Sequence, residues 1–178
     1  MRRLLPVFLL FTQALGAVRA QTAGHLIPMV HSPALTGETI DLPAALKGKV
    51  GVLVLGFSQG SRDEVTVWGR RLAGDFLNSN TVIYYEMPVL ASVPRFLRGL
   101  VLRKLKDAVP ARAQSRFLPI LDHEAEWKTL AGFTTPDDAY VLLVDANGIL
   151  QWTVQGRAID LSYAKVKQRI ANLQPAAK

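Results

Sequence analysis

The chain has 178 residues, 49% of them hydrophobic and 20% charged, which suits one ordinary domain with its own core and excludes a disordered or fibrous protein. It contains no cysteine, which excludes disulfides, thiol catalysis and thiol lipidation in this chain. The formal net charge is +7, but the first twenty residues carry three basic groups and no acids, so residues 21–178 are only mildly basic at +4. That small excess argues against binding of DNA or RNA.

The first twenty residues have the pattern of a secretory signal peptide. Arg2 and Arg3 precede an apolar run over 4–17, and the compact Val-Arg-Ala that follows predicts cleavage after Ala20. An uncleaved membrane anchor is the alternative, but the run contains polar residues and is shorter than the roughly 20 apolar residues that span a bilayer. We therefore expect an exported protein that is periplasmic or extracellular, either free or peripheral to a membrane, with a flexible lead over 21–32.

The next segments predict a strand, a helix and a second strand. After a turn at 37–39 and a helical turn at 42–46, residues 50–57 (VGVLVLGF) form an almost continuous apolar run, typical of a strand buried on both faces in a mostly parallel sheet. Ser61 is placed to cap a helix whose apolar positions recur at helical spacing: Val65, Trp68, Leu72 and Phe76. Residues 81–87 (TVIYYEM) predict the next strand, completing a right-handed βαβ unit.

The remainder divides into an unusual insert and a regular closing section. Residues 88–116 combine three prolines with a cationic amphipathic helix from about Pro94 to Val109. A short strand is predicted over 117–121 and a short helix over 124–133. Two apolar strands joined at Asn147-Gly148 predict a hairpin, and Asp145 and Asn147 serve its turn. A closing helix follows, with these apolar positions: Leu161, Ala164, Val166, Ile170 and Leu173. The last residues, 175–178, are a frayed tail.

Two blocks resemble thioredoxin-like proteins of the peroxiredoxin and exported thiol-reductase kind: LTGETIDLPAALKGKVGVLVLGF and YVLLVDANGILQWTVQG. The resemblance implies an α/β fold in which a mixed central sheet is flanked by helices, with the domain over 33–174. In such families the redox cysteines follow the strand that ends here at Phe57, where this chain reads SQGSRDE. A cis-proline normally stands where this chain has Ala139, and Pro136 lies three residues earlier. Both parts of the redox site are missing.

A narrower resemblance covers roughly residues 85–157 and concerns the mitochondrial ATP synthase assembly-factor family of the subunit ten type. The matching features are PRFLRGLVLRKLKDAVPARAQSRFLPIL, then AYVLLVD, then Trp152 and Gly156. Ala139 stands where that family usually has glycine, and Leu150-Gln151 replaces a more basic pair. An export signal also differs from a matrix address. The resemblance implies the fold and a non-redox, chaperone-like role in assembly more readily than it implies a particular client.

The basic helix is the first candidate functional site. The segment 93–116 holds one acid and seven basic residues, a local net charge of +6, which leaves −2 for the rest of residues 21–178. Its cations are Arg95, Arg98, Arg103, Lys104, Lys106, Arg112 and Arg116. On a helical wheel, one face carries Phe96, Leu97, Leu100, Val101 and Leu105. Such a helix could bind an anionic membrane surface or an acidic partner, or it could be a core helix with a solvated basic back.

The loop after the first buried strand is the second candidate. It lies beyond the carboxyl end of a strand and at a helix N-terminus, where Ser61 and Arg62 could bind an anion. A nucleophilic role for Ser61 lacks an identifiable activating partner, and an N-capping role explains the residue. The aromatic residues Trp68, Trp152, Tyr84, Tyr85 and Tyr140 are expected in the core.

No metal or cofactor is predicted. The possible ligands are His25, His31, Asp122, His123, Glu124 and Glu126, and only the last four are clustered, around a single histidine.

These observations predict a non-enzymatic, thioredoxin-like accessory protein of the cell envelope that binds a membrane-associated client through its basic insert. The alternative is a degenerate peroxiredoxin or thiol-reductase domain that retains small-molecule or anion binding at Ser61 and Arg62. The sequence leaves the client and the oligomeric state open.

Overall fold

A computed structural model describes residues 23–174. The predicted signal peptide and the tail lie outside the described residues. Between residues 23 and 174, six strands and four α-helices follow one another. The strands are β1 (Val30–Pro33), β2 (Thr39–Leu42), β3 (Val50–Gly56), β4 (Val82–Pro88), β5 (Ala139–Val144) and β6 (Leu150–Gln155). The helices are α1 (Arg62–Phe76), α2 (Arg95–Ala108), α3 (Glu124–Ala131) and α4 (Asp160–Leu173), with 3₁₀ turns at Ala44–Leu46 and Ala111–Arg116. Within this range no helix has both the length and the apolar character needed to cross a bilayer.

The central sheet has the strand order β4-β3-β5-β6. β3 runs parallel to β4 and antiparallel to β5, and β5 pairs with β6 in the predicted hairpin. The sheet is therefore mixed, as the resemblance implies, and the expectation of a mostly parallel sheet is wrong. β3 is apolar throughout because it is an inner strand covered on both faces, and that burial does not depend on strand direction.

Alternation along the strands divides the core into two layers. Val52 and Val54 of β3 point to the face covered by α1 and α4, whereas Leu53 and Leu55 point to the face covered by α3 and the β1–β2 hairpin. The predicted contact face of α1 is confirmed, with Trp68 fully buried. The other predicted core aromatics, Tyr84, Tyr85 and Tyr140, are also buried, while Trp152 is half-buried.

The predicted flexible lead over 21–32 is wrong for most of its length. Gly24 N donates to Leu150 O at 2.7 Å, and Ile27 N donates to Gly148 O at 3.0 Å. Ile27 is buried in the core, and β1 already begins at Val30. Residues 24–32 are ordered because their backbone pairs with the edge of the β5–β6 hairpin. Local composition does not reveal such a tertiary pairing.

Two further elements differ from their predictions. The strand predicted over 117–121 forms isolated bridges to β4 rather than a continuous ladder. Leu118 N donates to Glu86 O at 2.8 Å and Ile120 N donates to Pro88 O at 2.9 Å, but Pro88 lacks the N–H that would donate to Leu118 O between these two bonds. In α4, Leu161 is 64% exposed and Ala164 is exposed, while Tyr163 is buried. The helix is rotated so that the Tyr163 hydroxyl donates to Arg71 O at 2.8 Å, a contact invisible to a hydrophobicity pattern.

Two further local predictions are confirmed, the end of α3 at Gly132 and the role of Asp145 in the hairpin turn. Gly132 ends α3 in the left-handed conformation with φ of 64°, and Phe133 N donates to Lys128 O at 2.9 Å. The hairpin turn is organised by Asp145, whose Oδ1 accepts hydrogen bonds from Asn147 N at 2.8 Å and Ile149 N at 3.0 Å.

Candidate functional site

The loop between β3 and α1 is closed by a serine network. The Ser58 hydroxyl donates to Asp137 Oδ1 at 2.6 Å and accepts from Ser61 N at 3.1 Å. The Ser61 hydroxyl donates to Ser58 O at 2.9 Å. Two residues separate the serines, the spacing of a C-x-x-C motif at a helix N-terminus. Sequence reasoning missed Ser58 although this spacing was readable, whereas nothing in the sequence pointed to Asp137.

Ser61 and Arg62 are not brought together as a site. Ser61 is buried beside Gly56, where a Cβ would lie 2.6 Å from the Ser61 hydroxyl oxygen. It occupies the N-cap position of α1, but its side chain makes no capping hydrogen bond, so the predicted capping role is wrong. The backbone of Ser61 is already helical, which turns the hydroxyl towards Ser58. Arg62 is 64% exposed, and its Nε lies 3.9 Å from Asp63 Oδ1.

Ala139 occupies the position that holds a cis-proline in the families that this chain resembles. Ala139 is the first residue of β5, and its N–H donates to Glu64 Oε2 at 3.3 Å. Glu64 Oε1 also accepts a hydrogen bond from Arg157 Nε at 3.3 Å. Within residues 23–174 the cis peptide bond lies at Leu42–Pro43, away from Pro136. Glu64 therefore joins α1 to β5 and to the segment after β6.

An open groove of about 260 Å³ lies beside this contact, between α1 and the segment after β6. Its lining consists of Asp63, Glu64, Val67, Arg157, Ala158 and Ile159. Neither Ser61 nor Arg62 contributes to it. Its charged members include the Glu64–Arg157 pair, and the lining offers no hydroxyl, thiol or imidazole that could act as a nucleophile.

The histidines do not converge on a metal site. His123 Nδ1 lies 2.8 Å from Glu126 Oε1, and His31 Nδ1 lies 2.6 Å from Asp41 Oδ1. In the described part of the chain, no group of three or more histidine or carboxylate side chains could hold a metal ion.

The basic helix is present as predicted, but its apolar residues do not all face the same side. None of the residues of α2 is buried, which excludes the interpretation as a core helix. Val101, Leu102 and Leu105 are half-buried on the side towards the domain. Phe96 and Leu100 turn outward, with 84% and 44% of their surface exposed. The apolar stripe on the wheel is therefore split between the domain and solvent.

The seven predicted basic residues also fall into two groups. Arg98 is half-buried, with Nε donating to Val93 O at 2.9 Å and Nη2 donating to Ala91 O at 2.7 Å. Arg116 lies over the Tyr84 ring, with its guanidinium carbon 5.6 Å from the ring centroid. Arg116 thus attaches the end of the insert to β4, whereas Arg98 fixes α2 to the loop that precedes it within the insert. The other five are exposed: Arg95, Arg103, Lys104, Lys106 and Arg112.

The ends of α2 are fixed by neighbouring residues. Pro94 precedes the first turn, and Gln114 Nε2 donates at 3.0 Å to both Lys106 O and Val109 O, which satisfies carbonyls at the end of the helix. The first turn contains no acid and begins with Arg95, whose charge opposes the positive end of the helix dipole. The cation at this position therefore does not stabilise the helix.

A buried carboxyl group lies at the base of the insert. Glu86 of β4 is 7% exposed, and burial raises the pKa of its carboxyl from 4.5 to about 7. Gly69 of α1 makes room for it, since a Cβ there would collide with the Glu86 carboxylate. Bridges from Glu86 to Phe117 and from Val89 to Ile120 join the two ends of the insert. Sequence reasoning missed Glu86, whose burial on an edge strand depends on the 117–120 segment.

Comparison with known proteins gives no match to a family model and no match among curated proteins. Solved structures do match. One is BsSco, a member of the Sco family of cytochrome c oxidase assembly proteins, with a TM-score of 0.57 and 11% identity over 86% of this chain and 96% of that chain.

Two further structures match over similar shares of the chain. The exposed lipoprotein thioredoxin Etrx1 from Streptococcus pneumoniae has a TM-score of 0.54 and 13% identity over 80% of this chain and 99% of that chain. A peroxiredoxin-like protein from Aquifex aeolicus has a TM-score of 0.53 and 12% identity over 85% of this chain and 86% of that chain. Together with the mixed sheet and its flanking helices, these similarities show that the chain has a thioredoxin-like fold.

Proposed function

We propose that this chain is a non-redox accessory protein of the cell envelope, which uses its basic insert to associate with the membrane where its protein client resides. It acts by binding and without turnover. The absence of cysteine supports this, because the thiolate is the reacting group in disulfide exchange. The Ser58–Asp137 contact supports it further, since the loop that follows β3 is closed by internal hydrogen bonds.

The observation that carries the proposal is the exposed face of α2. An amphipathic helix in a globular protein normally buries its apolar stripe, yet α2 leaves Phe96 and Leu100 in solvent among exposed cations. The rest of the predicted mature chain is net acidic, so the positive charge is concentrated in this segment. Such a surface is suited to an anionic membrane, where each basic residue near the surface contributes about 1 kcal/mol.

Two similarities are consistent with an assembly role in the envelope. BsSco belongs to a family of assembly proteins, and Etrx1 is an exposed lipoprotein, so this fold occurs in both settings. The resemblance of residues 85–157 to the ATP synthase assembly-factor family points in the same direction and stays a prediction. The alternative, anion binding at Ser61 and Arg62, gains no support from a shared site, because one side chain is buried and the other is in solvent.

The test is co-sedimentation of the full chain with the membrane fraction of the cells that express it. The test variant changes Arg103, Lys104 and Lys106 to glutamine. The matched control removes the same charge elsewhere, through Lys47→Gln, Arg70→Gln and Lys165→Gln, all at exposed positions.

Loss of three cations at about 1 kcal/mol each predicts roughly 100-fold weaker binding of the test variant, with the control close to wild type. Equal binding of the two variants would contradict the proposal. If both bind weakly, overall charge rather than α2 determines membrane association, and if both bind like wild type, these cations do not contribute.

A further inference from the structure

The outward face of α2 has an arrangement that constrains what it contacts. Phe96, Leu100 and Arg103 lie within about 60° of one another on a helix that turns 100° per residue. Lys106 and Arg95 border them on one side, and Lys104 lies on the other. The apolar side chains thus project from the centre of the face, and cations stand along both of its edges.

The face is a convex ridge rather than a groove. α2 is sparsely packed against the other elements, and the groove described above lies at α1 and the segment after β6. A ridge with protruding Phe96 and Leu100 suits a soft surface that can close around single side chains. Long basic side chains at its edges can keep their charged ends at the depth of phosphate groups while the stems follow the apolar side chains inward.

The charges within α2 repel one another or oppose the helix dipole, so anions outside the protein would stabilise the helix. Arg95 opposes the helix dipole, and Arg103 and Lys106 are like charges one turn apart, each arrangement weakening the isolated helix. In the described part of the chain, neither Arg103 nor Lys106 forms a side-chain ion pair. A dense layer of lipid phosphates would relieve both arrangements at once.

We infer that α2 contacts anionic lipid directly, lying in the membrane interface with Phe96 and Leu100 between the headgroups and the exposed cations at the phosphates. This rests on the proposed function and names the partner of the same surface. The domain then stands on the membrane with its net acidic remainder facing away. Arg116 keeps the end of the insert attached to β4 while the outer face of α2 is in the bilayer, and Arg98 fixes α2 to the loop that precedes it.

The test uses protein-free vesicles, either phosphatidylcholine alone or phosphatidylcholine with about one third phosphatidylglycerol. The full chain is compared with the double variant Phe96→Ser and Leu100→Ser, which keeps every cation. Its control is Met29→Ser with Leu161→Ser, which removes two apolar side chains exposed elsewhere. Near-ultraviolet circular dichroism verifies that all three proteins are folded.

Wild type and control are expected to bind the anionic vesicles. The double variant is expected to bind them at least about tenfold more weakly, since two exposed apolar side chains that would be buried in the bilayer are removed. Equal binding by the double variant would overturn direct insertion. Binding to native membranes without binding to anionic vesicles would overturn the lipid as partner and leave the proposed function standing, with a membrane protein as the contact. Binding to neither would overturn both.

Discussion

Glu86→Gln should stabilise the protein in alkaline solution and leave it almost unchanged in acid. The pKa of the buried carboxyl is raised from 4.5 to about 7, so the folded state holds its proton more tightly than the unfolded state does. The free energy of unfolding therefore falls as pH rises from about 4.5 to 7, and it loses nothing further above that range. Glutamine has a similar shape and no charge, so the variant avoids this loss.

The magnitude follows from the two pKa values. Each unit corresponds to about 1.4 kcal/mol, so the ionised carboxylate costs the folded state about 3 kcal/mol above pH 8. At 7% exposure, solvent screens the charge of this carboxylate very little. About 0.8 kcal/mol of that loss is already present at pH 5, so the gain of the variant at pH 8.5 should exceed its gain at pH 5 by about 2.5 kcal/mol, or by about 5–10 °C in Tm.

The assay is urea unfolding of wild type and Glu86→Gln at both pH values. Because every other titrating group is common to the two proteins, the difference between their pH responses isolates Glu86. Glu38→Gln, the same substitution at an exposed position, is the control for the chemical change itself. A gain for Glu86→Gln that is the same at pH 5 and pH 8.5 would refute the reasoning, since it would mean that the carboxyl is solvated in the folded state.

Three further predictions concern packing and hydrogen bonding. Gly69→Ala should lower the free energy of unfolding by about 1–3 kcal/mol by crowding Glu86, whereas Gly74→Ala, in open space on the same helix, should raise it by about 0.5–1 kcal/mol in urea unfolding. Arg98→Gln should cost about 1–3 kcal/mol because it breaks two hydrogen bonds to carbonyls, whereas exposed Arg103→Gln should change thermal stability by less than about 0.5 kcal/mol. Tyr140→Phe should cost about 1–3 kcal/mol by chemical unfolding, because its buried hydroxyl accepts two backbone N–H groups and donates to a carbonyl. Equal effects within either pair, or an unchanged Tyr140→Phe protein, would contradict these assignments.

Much of the fold was predictable because its elements depend on local sequence patterns. β3 is a run of apolar residues, α1 repeats its apolar positions at helical spacing, and Asn147-Gly148 between two apolar runs is a strong hairpin signal. Each pattern depends on residues close together in the chain. The mixed strand directions of the sheet could not be predicted from burial. An inner strand covered on both faces is apolar throughout, whether its neighbours run parallel or antiparallel to it.

The site was less predictable, because its features depend on contacts between distant segments. Arg98 and Arg103 look alike in the sequence, yet Arg98 reaches carbonyls of the preceding loop while Arg103 faces solvent. Glu86 reads as a polar break in a strand until Gly69 and the 117–120 segment enclose it. The contact between Ser58 and Asp137 joins residues 79 positions apart. Side-chain patterns identified the basic helix, but only packing decides which of its faces is free.

The central claim is that α2 is the part of the protein that contacts the membrane. It can be tested with a single fluorescent label. Because the chain has no cysteine, Gly99→Cys on α2 and Gly74→Cys on α1 each give one labelling site, and both glycines are exposed in open space. With an environment-sensitive dye, vesicles containing phosphatidylglycerol should shift the emission of the label at position 99 to the blue and leave that at position 74 unchanged. No shift at position 99, or the same shift at both positions, would contradict the account.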